Sequence, residues 1–377
     1  MTRTKSGISR RDFLKRGAAL GVGAMVGPYI SGDAFAASRD RVTIYHSSVA
    51  DSLNPYAHSS SPIYGNWQHV IEPLIEMDYS KKDYVGVLAE SWEFQGKRWV
   101  FKLKKGIKFH NGASLTSKDV AFSIDRMKND KASLQGPNFK DVTEVQTPDD
   151  QTVIFVMKEP NAIFLDRLEN RFILSKAAAD KYGDKLDQNP IGTGPYKYVS
   201  YQRGGNFVFT RNDDYWGGKA DIKEVVFRKV TEDAARIAAL EAGQADFINN
   251  VPVHEVARLQ RHPRVKIDQI EGLRMFFLAF NVAHKPFDNK LVRQAVNYSV
   301  DAPAIVKNIF DGIGYPLNGP VGANVIGADP KLKRYPYNPG KAKELLAQAG
   351  FPNGCDIPLY YSAGRYPNDR EVCQVVA

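Results

Sequence analysis

The stretch that decides the fold is Trp99-Val-Phe-Lys-Leu-Lys-Lys-Gly-Ile-Lys-Phe-His-Asn-Gly112. It follows Leu88-Ala-Glu-Ser-Trp92 and precedes Leu115-Thr-Ser-Lys-Asp-Val-Ala-Phe-Ser-Ile-Asp-Arg126. Large apolar residues take every second position from Trp99 to Leu103, which predicts a strand with one apolar face. The alternation resumes after Gly106 at Ile107 and Phe109, so we expect a hairpin, and Asn111-Gly112 predicts a further turn. Thr116 and Asp119 have the spacing of a capping box, which predicts the start of a helix.

Working outward from this stretch, the patterns alternate between strand and helix and predict an α/β chain. Strands are expected at residues 41–45, 152–157, 207–210, 222–230 and 275–280, and helices near residues 161–166, 231–243, 289–300, 303–310 and 338–350, with another beginning near Asp369. Pro190-Ile-Gly-Thr-Gly-Pro195 is dense in glycine and proline and predicts a crossing point between domains. Because no Lys-Ser or Lys-Thr pair follows, these glycines do not have the pattern of a phosphate-binding loop.

The N-terminus has the features of an export signal. Arg10 and Arg11 lie in Ser9-Arg-Arg-Asp-Phe-Leu-Lys15, which fits the twin-arginine consensus. The weakly apolar stretch at residues 17–30 is too short to span a bilayer, which takes about 20 residues. Small residues at positions 34 and 36 predict cleavage between Ala36 and Ala37. We therefore expect residues 1–36 to be a signal peptide and the mature protein to be soluble in the periplasm.

The composition is that of a folded globular protein, with 43% apolar and 25% charged residues. The formal net charge is +9, and residues 1–36 hold six basic and two acidic residues, which leaves +5 for the rest. These charges are spread along the chain, so we expect no nucleic acid partner. Cys355 and Cys373 could pair in an oxidising compartment or remain two small apolar thiols.

The order of residues from Leu88 to Arg126 resembles the signature of the family 5 extracellular solute-binding proteins, the peptide-, nickel- and opine-binding subunits of bacterial ABC importers. Six later segments resemble the same family in the same order: Ile191-Gly-Thr-Gly-Pro-Tyr-Lys197, Asn212-Asp-Asp-Tyr-Trp216, Ala239-Leu-Glu-Ala-Gly-Gln-Ala-Asp-Phe247, Phe277-Leu-Ala-Phe-Asn-Val282, Pro286-Phe-Asp-Asn-Lys-Leu-Val-Arg-Gln-Ala-Val296 and Asn338-Pro-Gly-Lys-Ala-Lys-Glu-Leu-Leu345. The resemblance covers essentially the whole expected mature chain.

This resemblance implies a two-lobed periplasmic binding protein fold, class II-like and of the three-domain peptide-binder type. Domain I is expected at residues 37–70 and 186–272, domain II at 71–185 and domain III at 273–377. Relatives continue beyond the position of Ala377, so we expect the third domain to be incomplete and the chain to be truncated.

The resemblance also implies a ligand site. Ser47, Ser48 and Val49 match a segment that borders the peptide, and Asn281 follows the strand that leads into domain III. Arg365, next to Tyr366, matches the region in which dipeptide-binding relatives hold the ligand carboxylate, and its fork of donors suits that partner. A solvated loop arginine is the equally weighted alternative.

Nothing in the sequence nominates a catalytic residue. We find no nucleophile-and-base pair and no histidine pair at metal-ligand spacing, so we expect no enzyme activity, no metal and no cofactor. The expected partners are a small-molecule solute, with peptide favoured, the inner-membrane ABC permease, and the twin-arginine translocase during export. The receptor is expected to be a monomer.

Two other classes stay open from the sequence alone. One is a periplasmic enzyme exported by the twin-arginine route with a metal or cofactor, and the other is a non-functional fragment of a solute-binding protein. Within the leading class, a nickel chelate, an opine, haem or an oligosaccharide could replace the peptide.

Overall fold

The structure is a computed structural model that describes residues 40–50, 52–58, 61–81, 83–323, 325, 327–361 and 368–377 of the 377-residue chain. Strands and helices alternate, which confirms the predicted α/β class. The strands are β1 Arg41–His46, β2 Ile75–Asp78, β3 Asp83–Gly86, β4 Ala89–Gln95, β5 Arg98–Leu103, β6 Val142–Asp149, β7 Thr152–Met157, β8 Tyr196–Tyr201, β9 Asn206–Arg211, β10 Glu224–Lys229 and β11 Phe247–Ile248.

The α-helices follow the strands along the chain. They are α1 Ser61–Trp67, α2 Ser117–Asn129, α3 Phe164–Leu168, α4 Lys176–Tyr182, α5 Asp233–Glu241, α6 Val253–Gln260, α7 Lys290–Ser299, α8 Ala302–Ile309, α9 Pro339–Gln348 and α10 Asp369–Val376, with 3-10 helices at Gly136–Phe139 and Gly183–Gln188. The chain divides into two compact units, Met1–Asn250 and Val251–Ala377.

A five-stranded mixed sheet in the first unit has the order β11-β1-β10-β9-β8. β1 lies in its interior and pairs in parallel with both β10 and β11, whereas β10, β9 and β8 pair antiparallel. The carboxyl ends of β1, β10 and β11 therefore meet at one edge of the sheet. The strands predicted at 41–45, 207–210 and 222–230 are confirmed in this sheet.

The stretch that decides the fold lies in a second sheet, of order β4-β5-β7-β6. Phe101 and Leu103 of β5 are buried, as the alternation predicts. Thr116 and Asp119 form the predicted capping box, and α2 buries Val120, Ile124 and Met127 on one face. The hairpin prediction differs in one respect: β5 pairs with β4 and β7, whereas residues 107–109 make only an isolated bridge between Lys108 and Ser114.

Both sheets contribute side chains to one continuous core. Trp67 meets Phe207 of the first sheet edge-on at 5.0 Å between ring centroids, and Phe101 meets Phe155 of the second at 5.5 Å. All four rings are buried and belong to the same cluster. Each such aromatic contributes about 2–3 kcal/mol by burial, so this core is the main source of stability in the first unit.

The Gly/Pro segment passes very close to residues 69–70, as a crossing point requires. The amide of Gly194 donates to the carbonyl of Val70 at 2.9 Å, and a Cβ on Gly192 would overlap that same carbonyl oxygen. His110 holds the crossing from the other side. It accepts from the amide of Gly192 through Nδ1 at 3.4 Å and donates from Nε2 to the carbonyl of Gly194 at 3.0 Å. These glycines serve close backbone approach, as a tight crossing of the chain requires, while the position of this crossing between domains stays a prediction.

A buried carboxylate secures the same crossing. Glu72 is 4% exposed and accepts from Thr193 Oγ1 at 2.8 Å, Tyr215 Oη at 2.6 Å and Trp216 Nε1 at 2.8 Å. Three donors on one carboxylate offset the cost of removing the charge from water. Glu72 therefore ties the start of the predicted domain II to the crossing segment and to the turn at 212–218.

The second unit consists of helices and irregular segments. Asn289, Asp301 and Asn338 each accept a backbone N–H at the N-terminus of a helix, which confirms three of the predicted helix starts. The helix predicted near Asp369 is also confirmed. Helices α7 and α9 share a small core of Ala295, Ala342 and Leu345. Cys355 and Cys373 carry free thiols.

The predicted strand at residues 275–280 is wrong. These residues form no strand, and Phe277 is 75% exposed. The physical reason is that a strand needs a hydrogen-bonding neighbour, and the described residues of Val251–Ala377 contain no other strand with which it could pair. None of the helices in the described part of the chain is long and apolar enough to span a membrane.

Candidate functional site

The carboxyl edge of the parallel strands is the strongest candidate site in the first unit. In α/β sheets, ligands bind outside the carboxyl ends of parallel strands. At this edge β1 ends at His46, and residues 47–50, which we name the Ser47 segment, follow it between the ends of β10 and β11. Three of the residues expected to border a ligand, Ser47, Ser48 and Val49, therefore lie together at this position.

Side chains from neighbouring elements fix the Ser47 segment. The Ser47 amide donates to Asn249 Oδ1 at 3.1 Å, and Asn250 Nδ2 donates to the Ser47 hydroxyl at 3.0 Å. Further along, the amide of Ala50 donates to Asn66 Oδ1 of α1 at 3.3 Å. The backbone of the segment is thus held at both ends by side-chain amides, which orders it before any ligand arrives.

His46 adds a neutral imidazole to this edge. The amide of Ser48 donates to its Nδ1 at 3.2 Å, and Asn249 Nδ2 lies 2.9 Å from its Nε2. Burial lowers the pKa of His46, and the nearby cation of Arg236 lowers it further. The ring is consequently uncharged at neutral pH.

Arg236 of α5 is buried behind the edge, with 1% of its surface exposed. Its Nη1 donates to the carbonyls of Val230 and Thr231, both at 2.8 Å, immediately after β10. Its Nε and Nη2 donate to the carbonyls of Asn249 and Asn250, at 3.3 and 3.2 Å, immediately after β11. Asp233, one turn earlier in α5, pairs with the same guanidinium and balances its charge.

The edge is suited to hydrogen bonding. Ser47 and Ser48 are half-buried, so their polar groups can reach a solute, whereas the side chain of Val49 is 6% exposed and packs in the core. A solute would therefore meet the backbone rather than the side chain of Val49. Across the described ranges, no group of three His, Cys, Asp or Glu side chains is placed to hold a metal ion.

The structure does not bring the other residues predicted for the site to this edge. Asn281 is exposed in the second unit, where its Oδ1 accepts from the amide of Ala283 at 3.2 Å and stabilises a turn. The remaining predicted residues lie outside the described part of the chain. They are the ligand contacts Arg365 and Tyr366, the export residues Arg10 and Arg11, and the cleavage residues Ala36 and Ala37.

Five residues that shape this edge were not predicted: His46, Asn66, Asn249, Asn250 and Arg236. His46, Asn249 and Asn250 are polar and directly follow or end an apolar strand, a pattern that the sequence does show. The arginine had no such signal. On the sequence it is one charged position of an amphipathic helix, and only the fold places it against four carbonyl groups.

Comparison with known proteins shows the family of the chain. The family model described as "Bacterial extracellular solute-binding proteins, family 5 Middle" matches residues 83–377. The dipeptide-binding protein of Escherichia coli is 33% identical over 351 residues, covering 85% of this chain and 64% of that protein. Heme-binding protein A of Haemophilus influenzae is 31% identical over 341 residues, covering 82% of this chain and 62% of that protein.

Solved structures show the same similarity. An ABC transporter-associated periplasmic binding protein from Helicobacter pylori, in complex with the peptide STSA, superimposes with a TM-score of 0.71 at 29% identity, covering 83% of this chain and 67% of that one. The periplasmic binding protein fold predicted from the sequence is thereby confirmed. The chain spans slightly less than two thirds of the length of the curated relatives that it matches.

Proposed function

Because the chain belongs to the family 5 bacterial extracellular solute-binding proteins, we propose that it is a receptor that captures a small solute and delivers it to the permease of an ABC importer. The observation that carries this proposal is the Ser47 segment. Its backbone is fixed by side-chain amides at the carboxyl ends of parallel strands, and its two serines keep half-buried polar groups. Such an edge offers hydrogen bonds to a solute.

A peptide is the solute we favour. Relatives are named as dipeptide-, glutathione- and heme-binding proteins, and two of these three ligand classes are peptides. The amides of Ser47 and Ser48 already donate to Asn249 and His46, so the other backbone groups of residues 47–49 are the ones we propose for the peptide. Hydrogen bonds to the peptide backbone, which all peptides share, give affinity that does not depend on sequence. Asn281, Arg365 and Tyr366 are the further contacts we propose, with Arg365 binding a ligand carboxylate.

We further propose that capture involves hinge closure of two lobes around the solute, with the domain division 37–70 and 186–272, 71–185, and 273–377. Residues 1–36 are proposed to direct export by the twin-arginine translocase, with cleavage after Ala36. The receptor would then act as a monomer in the periplasm.

Binding without turnover is the experimental signature of this function. A thermal-shift panel of dipeptides, tripeptides, glutathione, haem and nickel–histidine should include a compound that raises the melting temperature, since a ligand that binds only the folded state stabilises it. Calorimetry with that compound should give saturable one-to-one binding, and the compound should be recovered unchanged. Steady consumption of the compound by the pure protein would refute the proposal.

The carboxylate contact has its own matched pair of variants. Arg365→Ala should weaken binding of a free-carboxylate dipeptide by about 2–3 kcal/mol if the pair is desolvated. Arg370→Ala removes an equal charge from the exposed face of α10 and should leave the affinity unchanged. Equal affinities for wild type and Arg365→Ala would remove Arg365 from the site.

A further inference from the structure

Arg236 joins the two strand ends that flank the candidate site. Its guanidinium donates to two carbonyls beyond β10 and to two beyond β11, and β1 lies between these strands. The residues whose carbonyls it binds after β11, Asn249 and Asn250, are the same two whose side chains hold Ser47. A continuous chain of hydrogen bonds therefore runs from the buried guanidinium to the Ser47 segment.

We propose that Arg236 is a positioning residue of the solute site: it sets the backbone of residues 249–250, which in turn fixes Ser47 and Ser48 for binding. The effect on solute affinity rests on the proposed function, whereas the effect on the backbone of residues 46–50 does not. Arg236 itself is buried behind the edge and touches no solute.

The chemistry of the side chain explains why arginine is needed. Five N–H donors in a rigid planar fork can reach four carbonyls and the Asp233 carboxylate together, whereas the ammonium of lysine has three donors at one point. Lysine at this position would keep the charge and lose the span between the two strand ends. The substitution Arg236→Lys therefore separates positioning from charge.

The same sheet supplies a matched control at its opposite edge. Arg211 of β9 donates to the carbonyls of Ala220 and Asp221, both at 3.0 Å, and pairs with Asp213. It lies at the amino end of β10, away from the Ser47 segment, because β9 and β10 are antiparallel. Arg211→Lys removes a similar cross-link without touching the chain of contacts to Ser47.

Hydrogen exchange read at residues 46–50, without any solute, tests the proposal. We expect exchange of this segment to accelerate about tenfold in Arg236→Lys and in Asn249→Ala, which cuts the chain one step later, and to stay within about twofold of wild type in Arg211→Lys. Measuring each variant at the same interval below its own melting temperature removes the effect of global stability. Unchanged exchange in Arg236→Lys, or equal acceleration in Arg211→Lys, would overturn the assignment.

Calorimetry with the dipeptide alanyl-phenylalanine tests the effect on affinity. If wild type binds this dipeptide, Arg236→Lys should raise Kd about tenfold, and Arg211→Lys should leave Kd within about twofold of wild type. Equal Kd values for wild type and Arg236→Lys would overturn the proposal. If wild type binds neither this dipeptide nor any compound of the panel, the proposed function fails, and the exchange experiment still decides whether Arg236 positions the segment.

Discussion

Lowering the pH should destabilise the first unit through one histidine, His110, at the crossing segment. Burial lowers the pKa of His110 to about 4, from an ordinary value of 6.5. The hydrogen bonds explain why the neutral ring is required: Nδ1 accepts from Gly192 while Nε2 donates to Gly194, so a proton on Nδ1 would place a donor against a donor. Above pH 6.5 the ring is neutral in both the folded and the unfolded chain, and its contribution is fully present.

As the pH falls from 6.5 towards 4, the unfolded chain takes up a proton at His110 and the folded chain does not, so stability is lost. A shift from 6.5 to 4 corresponds to a loss of about 1.2 kcal/mol at pH 5.5 and about 3 kcal/mol at pH 4, relative to pH 7. In His110→Gln the side chain can still accept and donate but cannot titrate. Other groups titrate in both proteins and cancel in the difference between them.

Urea unfolding followed by tryptophan fluorescence measures this difference. All four tryptophans, at positions 67, 92, 99 and 216, lie in the first unit, so the signal reports that unit alone. The free energy of unfolding of wild type minus that of His110→Gln should fall by about 3 kcal/mol between pH 7 and pH 4. A difference that stays constant over this range would show that His110 takes up its proton equally in both states, and the structural reasoning would fail.

Two further substitutions test the same crossing by urea unfolding. Gly192→Ala should lower the free energy of unfolding by about 3 kcal/mol or more, because the new Cβ overlaps the carbonyl of Val70. Gly65→Ala has open space around its Cβ and should leave the free energy of unfolding unchanged or raise it. Similar losses for both variants would contradict the close approach. Glu72→Gln should lower the free energy of unfolding by about 2 kcal/mol, because the glutamine NH2 group would face at least one of the three donors that the carboxylate now accepts. Glu90→Gln, at an exposed position, should leave the free energy of unfolding unchanged. No loss in Glu72→Gln would show that the charge is not needed.

Much of the fold was predictable because its signals are local. The capping box at Thr116 and Asp119, the alternation in β5 and the asparagine caps of α7 and α9 are all set by residues a few positions apart, and each is confirmed. The strand predicted at 275–280 failed for the opposite reason. Its apolar pattern is present, but a strand also depends on a partner, which no local pattern can report.

The candidate site was predictable only in part. The resemblance nominated Ser47, Ser48 and Val49, and the fold places them at the carboxyl ends of the parallel strands. The fixing of that edge by Asn249 and Asn250 depends on contacts between residues about 200 positions apart, such as that between Asn249 and Ser47. Such pairings follow from strand order, and strand order is a property of the whole sheet.

The most direct test of a solute receptor with its site at the Ser47 segment is hydrogen exchange with and without the compound that raises the melting temperature. We expect slower exchange at residues 46–50 and at 249–250, where the solute contacts the edge or tightens its supports, and no comparable change at residues 220–223 on the opposite edge of the sheet. Tight binding with unchanged exchange at residues 46–50 would place the site elsewhere and contradict the proposal.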